Sequence, residues 1–212
     1  MRKLVLGASA LTVIGIGAAA AWLAFAPQPA PDRPPEHAKW ILNAGGAEIG
    51  GPFELVNQDG ETVTEAEVID GPTLVYFGYT WCPDVCPIDT QLMIEAVERL
   101  DAEGVAVDPV FITVDPGRDD VASMKAYAEA FHPRMQALTG SPEQIAAAAE
   151  AYSVYYEKQA AEDTRAEYLV NHTAFVYFLT EEGLAAIFRH STPPEVMAAE
   201  IRRVLADRAS LG

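Results

Sequence analysis

The chain changes hydrophobic period several times, and each change marks an element. Leu4–Ala26 is a continuous run without a charged residue. Further on, Phe53-Glu54-Leu55-Val56 alternates, Asn57-Gln58-Asp59-Gly60 turns, and Glu61-Thr62-Val63-Thr64 resumes the alternation, which predicts a β-hairpin. Asp70-Gly71-Pro72 then turns into Leu74-Val75-Tyr76-Phe77, a short apolar run of buried-strand character that Gly78 breaks. After Pro87 the spacing becomes helical, with Ile88, Leu92, Ala96, Val97 and Leu100 on one face of a helix that ends near Gly104. A strand is expected within Val105–Val114, clearest after Pro109, followed by the turn Asp115-Pro116-Gly117. The next helix runs from about Asp119 to Phe131, burying Val121, Met124, Tyr127, Ala128 and Phe131, and His132-Pro133 stops it. Gln136–Leu138 reads as a short strand, and Ser141 caps a helix that carries Glu143 in its first turn and runs to about Tyr152. Ser153–Lys158 has strand character, and Ala160–Glu167 is charged and aperiodic, an exposed loop. Thr173–Leu179 and Leu184–Phe188 form an antiparallel pair around the turn Thr180–Gly183. Pro193–Arg208 closes the chain as an amphipathic helix burying Val196, Met197, Ile201 and Leu205.

A hairpin, then β-α-β-α-β-α, then a second hairpin and a helix make an α/β domain. Its central sheet has a parallel part covered by helices and an antiparallel edge. That order resembles the thioredoxin-like fold, here with an N-terminal β-hairpin. The domain occupies residues 49–212. Residues 27–48 form a linker, of which Pro27–Pro35 holds five prolines in nine residues and is stiff and extended.

Arg2 and Lys3 precede the apolar run, and its 23 residues suffice to cross a bilayer as one helix. Residues 1–26 therefore read as a transmembrane signal anchor, with the N-terminus cytoplasmic and the domain exported. The competing reading is a cleaved signal peptide ending at Ala24-Phe25-Ala26. The run exceeds the usual h-region, however, and Pro27 follows the would-be scissile bond. Either way the domain lies where disulfides persist. Formal charge is −17, and without the two anchor cations 12 basic residues face 31 acidic ones. Such a surface repels phosphate backbones and excludes nucleic-acid binding.

The chain has two cysteines, Cys82 and Cys86, at the junction of the first central strand and its helix. Strand carboxyl ends are where α/β sheets carry their sites, and a helix N-terminus favours thiolate. The spacing is C-x-x-x-C, one residue longer than that of thioredoxin-type redox enzymes. Two thiols so placed can close a disulfide or share a metal ion. Of the four histidines, His37 falls in the linker, His132 at a helix end and His190 just before the last helix, where polar or capping roles suffice. His172 differs: it precedes an apolar strand at the depth where thioredoxin-type enzymes carry a proline facing the cysteines, and no proline is there. Two thiolates and an imidazole form a set suited to copper, since thiolate selects Cu(I) and imidazole also supports Cu(II). Asp115, at the end of the next strand, is a candidate supporting group or a simple turn residue, and Tyr79 and Trp81 are candidates to shield the site.

Three stretches, Gly78-Tyr79-Thr80-Trp81-Cys82-Pro83-Asp84-Val85-Cys86-Pro87, Val114-Asp115-Pro116-Gly117-Arg118-Asp119 and Tyr168-Leu169-Val170-Asn171-His172-Thr173, resemble the Sco/SenC family from about residue 49 to the C-terminus. The resemblance implies a membrane-anchored, thioredoxin-like copper metallochaperone for cytochrome c oxidase assembly. It implies Cys82, Cys86 and His172 as ligands of a copper ion, Cu(I) or Cu(II), delivered to the dinuclear copper site of cytochrome c oxidase subunit II. Asn171 departs from the pattern, since an Asp commonly precedes that histidine. The alternative is a thiol–disulfide reductase that acts on the copper-ligating cysteines of the same target through the redox-active pair Cys82 and Cys86. A peroxidase is disfavoured because Tyr79 and Pro83, not threonine, stand three residues before the cysteines, and a copper- or redox-responsive sensor is a third possibility. Expected partners are subunit II, other copper chaperones or thiol reductants, and the bacterial cytoplasmic (inner) membrane, with the domain on its periplasmic side.

Overall fold

The computed structural model describes residues 39–42, 49–160 and 167–210. The anchor expected over residues 1–26, His37 with most of the linker, and most of the 160–167 loop lie outside them. Among the described residues no helix is long and apolar enough to cross a membrane.

The sheet is built around β4 (Thr73–Gly78), whose six residues are all buried. Such a strand needs neighbours on both edges and layers on both faces, hence its unbroken apolar character. It pairs in parallel with β5 (Asp108–Thr113) and antiparallel with β9 (Phe175–Thr180). Beyond these lie β6 (Gln136–Leu138), parallel to β5, and β10 (Gly183–Arg189), antiparallel to β9. β1 (Ile41–Leu42) completes the six-stranded order β1-β10-β9-β4-β5-β6. Ile41 and Leu42 belong to the stretch read as linker, yet they pair with Phe188 and Ile187, so the sheet takes its edge from there. The expected N-terminal hairpin is present as β2 (Glu54–Val56) and β3 (Thr62–Thr64), bridged to the body by Val56 and Thr139.

Five helices are described: α1 (Glu65–Val68), α2 (Val85–Ala102), α3 (Val121–Phe131), α4 (Pro142–Ala151) and α5 (Pro194–Ala209). Ser141 caps α4 in a reciprocal capping box with Gln144, and Asp120 caps α3 through the Ser123 N–H. Helix α2 packs against α5 and α3. Its buried face departs from the hydrophobic reading. Ile88 is 44% exposed, whereas the polar Asp89 and Thr90 are buried with Met93, Ile94, Ala96, Val97 and Leu100. Asp89 accepts hydrogen bonds from Tyr76, His190 and the Ser191 N–H, and Thr90 bonds Tyr127, so hydrogen bonding sets the rotation of this first turn.

Tyr168–His172 forms a strand, β8, that the pattern did not predict. It pairs with β7 (Tyr156–Ala160) in a separate two-stranded sheet, opposing Tyr156 to His172 and Lys158 to Val170. Registers bring the functional segments to one end of the molecule. Gly78 aligns with Thr113, so the segments after β4 and β5 leave side by side, and Tyr76 aligns with Val176, four residues after His172.

Candidate metal centre

The cysteine loop leaves β4 at Gly78, which sequence reading took for a strand breaker. In the structure Gly78 is the last residue of the strand, and its missing side chain makes room. A Cβ there would lie 2.9 Å from the Tyr76 ring, 3.0 Å from the Phe111 ring and 3.1 Å from Cys86 Sγ. Cys86, in the first turn of α2, is fully buried, while Cys82 is half-buried in the loop before it. The Cys86 N–H donates to Cys82 Sγ at 3.4 Å, so the helix start itself supports a negative charge on Cys82.

His172 reaches the cysteines from the end of β8. Its Nε2 lies 3.1 Å from Cys86 Sγ, and its Nδ1 lies 3.1 Å from the Thr173 carbonyl. A carbonyl oxygen only accepts, so Nδ1 donates to it, and Nε2 faces the sulfur. The rings of Tyr79 and Tyr76 meet the imidazole edge-on at 5.9 and 6.1 Å and hold its plane.

The two thiols have opposite tendencies. The hydrogen bond from the Cys86 side chain holds Cys82 well below the thiol range, helped by His172 and the backbone N–H groups of Cys86 and Asp84 against the cost of burial. Burial pushes Cys86 up, and the adjoining Cys82 pushes it further. The metal-free site therefore holds one thiolate, Cys82, and one thiol, Cys86.

The three candidate ligand atoms all lie within 4.8 Å of one another. With metal–sulfur and metal–nitrogen bonds of about 2.3 and 2.0 Å, donors sharing one ion stand roughly 3.5–4.5 Å apart, so small side-chain rotations close this set. Two sulfurs and one imidazole form a soft, three-coordinate set that fits copper(I), with copper(II) accessible through the nitrogen.

Trp81 does not cover the site: it is 58% exposed, and the Arg118 guanidinium lies 5.7 Å from its ring. Asp84 is exposed at the start of α2. His190 bonds Asp89 and Ser191, and His132 accepts from the Arg134 N–H, so both have structural partners outside the cluster. Asp115 is fully buried and accepts from Arg118, Tyr168 and Lys158, more than a turn residue requires. Asp119, to which the motif reading gave no role, is equally buried. It accepts from the Thr80 N–H at 2.9 Å, the Thr80 hydroxyl at 2.5 Å and the Thr113 hydroxyl at 2.6 Å, pinning the cysteine loop to the end of β5. Its position in the charged run Arg118-Asp119-Asp120 was the available signal. The large exposed hydrophobics among the described residues, Trp81, Ile88 and Tyr155, all flank the cluster, with Tyr155 paired through its backbone to Thr173.

A model of the SCO1/SenC family matches residues 43–206. Protein SenC of Rhodobacter capsulatus is 42% identical over 156 residues, covering 73% of this chain and 70% of that protein. The mitochondrial protein SCO1 homolog 1 of Arabidopsis thaliana is 45% identical over 141 residues; these are 66% of this chain but only 42% of the plant protein. Among solved structures, Arabidopsis thaliana ScoI with copper bound superposes with a TM-score of 0.71 at 37% identity, covering 75% of this chain and 99% of that one.

Proposed function

This chain belongs to the SCO1/SenC family, and on that premise we propose that it is a copper metallochaperone. Its cargo is a copper ion held by Cys82, Cys86 and His172. The observation that carries the reading is the convergence of two sulfurs and an imidazole nitrogen within 4.8 Å, with Nε2 already facing Cys86 Sγ. Cys82 offers a thiolate at once, Cys86 gives up its proton to bind, and His172 supplies the third donor from a separate hairpin. A shared ion can pass by stepwise ligand exchange because Cys82 is half-open to a partner's incoming ligand. Both cysteines must be reduced, since a disulfide offers no thiolate. The recipient is the dinuclear copper site of cytochrome c oxidase subunit II, and other copper chaperones or thiol reductants load and maintain the site. Residues 1–26 anchor the chain in a bacterial inner membrane, the stretch 27–48, apart from β1, serves as linker, and the domain of residues 49–212, with β1 at its sheet edge, works on the periplasmic side.

One observation favours a second reading. A half-exposed, depressed-pKa Cys82 backed by a buried Cys86 is also the geometry of a thiol–disulfide reductase. His172→Ala separates the two. The metallochaperone requires one copper per reduced wild-type chain in a stoichiometric titration, weaker binding in the variant, and loss of oxidase assembly with it. No copper uptake by the wild type, or unchanged affinity in the variant, sinks the metallochaperone. Oxidase assembly retained by the variant favours the reductase.

A further inference from the structure

The two halves of the centre share no strand pairing. Cys82 stands in the loop between β4 and α2 and Cys86 on α2, whereas His172 stands on the β7–β8 hairpin, a sheet of its own. Successive side chains of a strand alternate faces, so Tyr168, Val170 and His172 share the inward face of β8. At one end of that face is His172; at the other, the Tyr168 hydroxyl donates to Asp115 Oδ1 at 2.8 Å and lies 3.1 Å from Oδ2. Lys158, opposite Val170 on β7, contacts Asp115 Oδ1 at 3.2 Å and donates to the Tyr168 hydroxyl at 3.1 Å. Arg118 completes the cluster. Its Nε donates to Asp115 Oδ2 at 2.5 Å and its Nη1 to the Tyr168 carbonyl at 3.1 Å, while its guanidinium stacks 3.8 Å from the Tyr168 ring. Asp115 thus ties both strands of the hairpin to the β5–α3 turn, the same turn whose Asp119 holds the cysteine loop.

We propose that Asp115 is the positioning residue for His172: through Tyr168 and Lys158 it latches the hairpin and sets how firmly the histidine retains the cargo ion. This rests on the copper reading above and adds to it a control point remote from the ligands. A buried carboxylate with three donors is a strong, directional tie. Loosening it moves the histidine while leaving both sulfurs where α2 and Asp119 hold them.

The test uses the full-length protein in detergent and two variants. One is Asp115→Asn; the other, Lys158→Met with Tyr168→Phe, cuts only the hairpin side and leaves the Asp115–Arg118 pair intact should the first fail to fold. In the metal-free protein, amide exchange at Leu169, Val170 and Asn171 is expected to quicken about tenfold in the second variant, the scale set by losing a hydrogen bond to a charged group, with Phe77 and Met93 unchanged. In the copper(I)-loaded protein, release to excess bathocuproine disulfonate quickens by a similar factor. In a His172→Ala background the same latch substitutions produce no further change in release. Hairpin exchange equal to wild type overturns the proposal, and so does an equal acceleration of release with and without His172. If the wild type takes up no copper, the metallochaperone reading falls on its own, and the metal-free exchange decides whether the latch holds the hairpin.

Discussion

Gly78→Ala places one methyl group at the most confined point of the site. The added Cβ meets the Tyr76 ring at 2.9 Å, the Phe111 ring at 3.0 Å and Cys86 Sγ at 3.1 Å, all inside ordinary contact. Neither ring yields easily. Tyr76 is fully buried and hydrogen-bonded to Asp89, and Phe111 is buried and stacked 4.3 Å from Tyr127. Overpacking of this kind costs about 1–3 kcal/mol. Part of the strain reaches Cys86, whose sulfur must retreat by roughly half an ångström to regain normal contact. Ligand distances at a metal site tolerate only about 0.2 Å, so copper affinity is expected to drop tenfold or more. Gly71→Ala is the control, because nothing lies within 4 Å of its would-be Cβ. Stability is read by guanidinium denaturation and affinity by competition with a chelator. A Gly78→Ala protein within about 0.5 kcal/mol of wild type would refute the packing argument. One that is destabilised but binds copper as wild type does would show that the strain does not reach the Cys86 sulfur.

Copper loading should release about one proton per ion near neutral pH, since Cys82 is already thiolate and Cys86 must give up its proton. Apparent affinity then rises about tenfold per pH unit and falls as the solution is acidified, which calorimetry in buffers of different ionisation enthalpy would measure; two protons released per ion would contradict the assignment of Cys82. Asp119→Ala strands three donors, two on the part-buried Thr80 and one on the buried Thr113, and is expected to cost about 3 kcal/mol in urea denaturation, with a loss under about 1 kcal/mol contradicting its role as the pin. Trp81→Ala, at a side chain 58% exposed, should change stability by no more than about 0.5 kcal/mol yet slow copper transfer to a subunit II copper domain several-fold, if the apolar rim is where the recipient docks. Equal transfer rates would dismiss that rim.

The elements legible in the sequence were those whose own side chains dictate their burial. β4 is an unbroken apolar run, β6 was found to the residue, and Ser141 announced α4. Where other forces set the structure, hydropathy pointed elsewhere. It put Ile88 inside α2 because it gives no weight to Asp89 and Thr90, which are buried by their bonds to Tyr76, His190 and Tyr127. It missed β8 because only Val170 on that strand is buried, while Tyr168 and His172 on the same face are placed by polar partners. It took Gly78 for a terminator, although what matters there is the space left for a sulfur that only the packed structure reveals. The three candidate ligands were legible because cysteine is rare in this chain and the spacing restrictive. Of the groups that hold them only Asp115 stood out as a candidate, because Asp119 and Arg118 look like any charged turn until tertiary packing sets their partners.

The position of His172 bears on the choice between cargo binding and thiol exchange. An exchange reaction starts at the accessible thiolate, here Cys82, and its buried partner attacks second. A histidine serving that chemistry belongs beside the attacking sulfur or the leaving group. His172 instead sets its Nε2 3.1 Å from Cys86, the sulfur a protein substrate reaches last, and commits its other nitrogen to a backbone carbonyl. A nitrogen aimed first at a buried sulfur, with only a lesser hydrogen bond toward Cys82, is poorly placed as the base for that thiol, but it stands where an ion between the two sulfurs would need a third donor. The same cysteines can also close a disulfide, since their sulfurs lie within 4.8 Å of each other. Oxidation and metal loading therefore compete for one pair of sulfurs. On the copper reading only loading calls on His172 as a donor, whereas disulfide closure needs the two sulfurs alone.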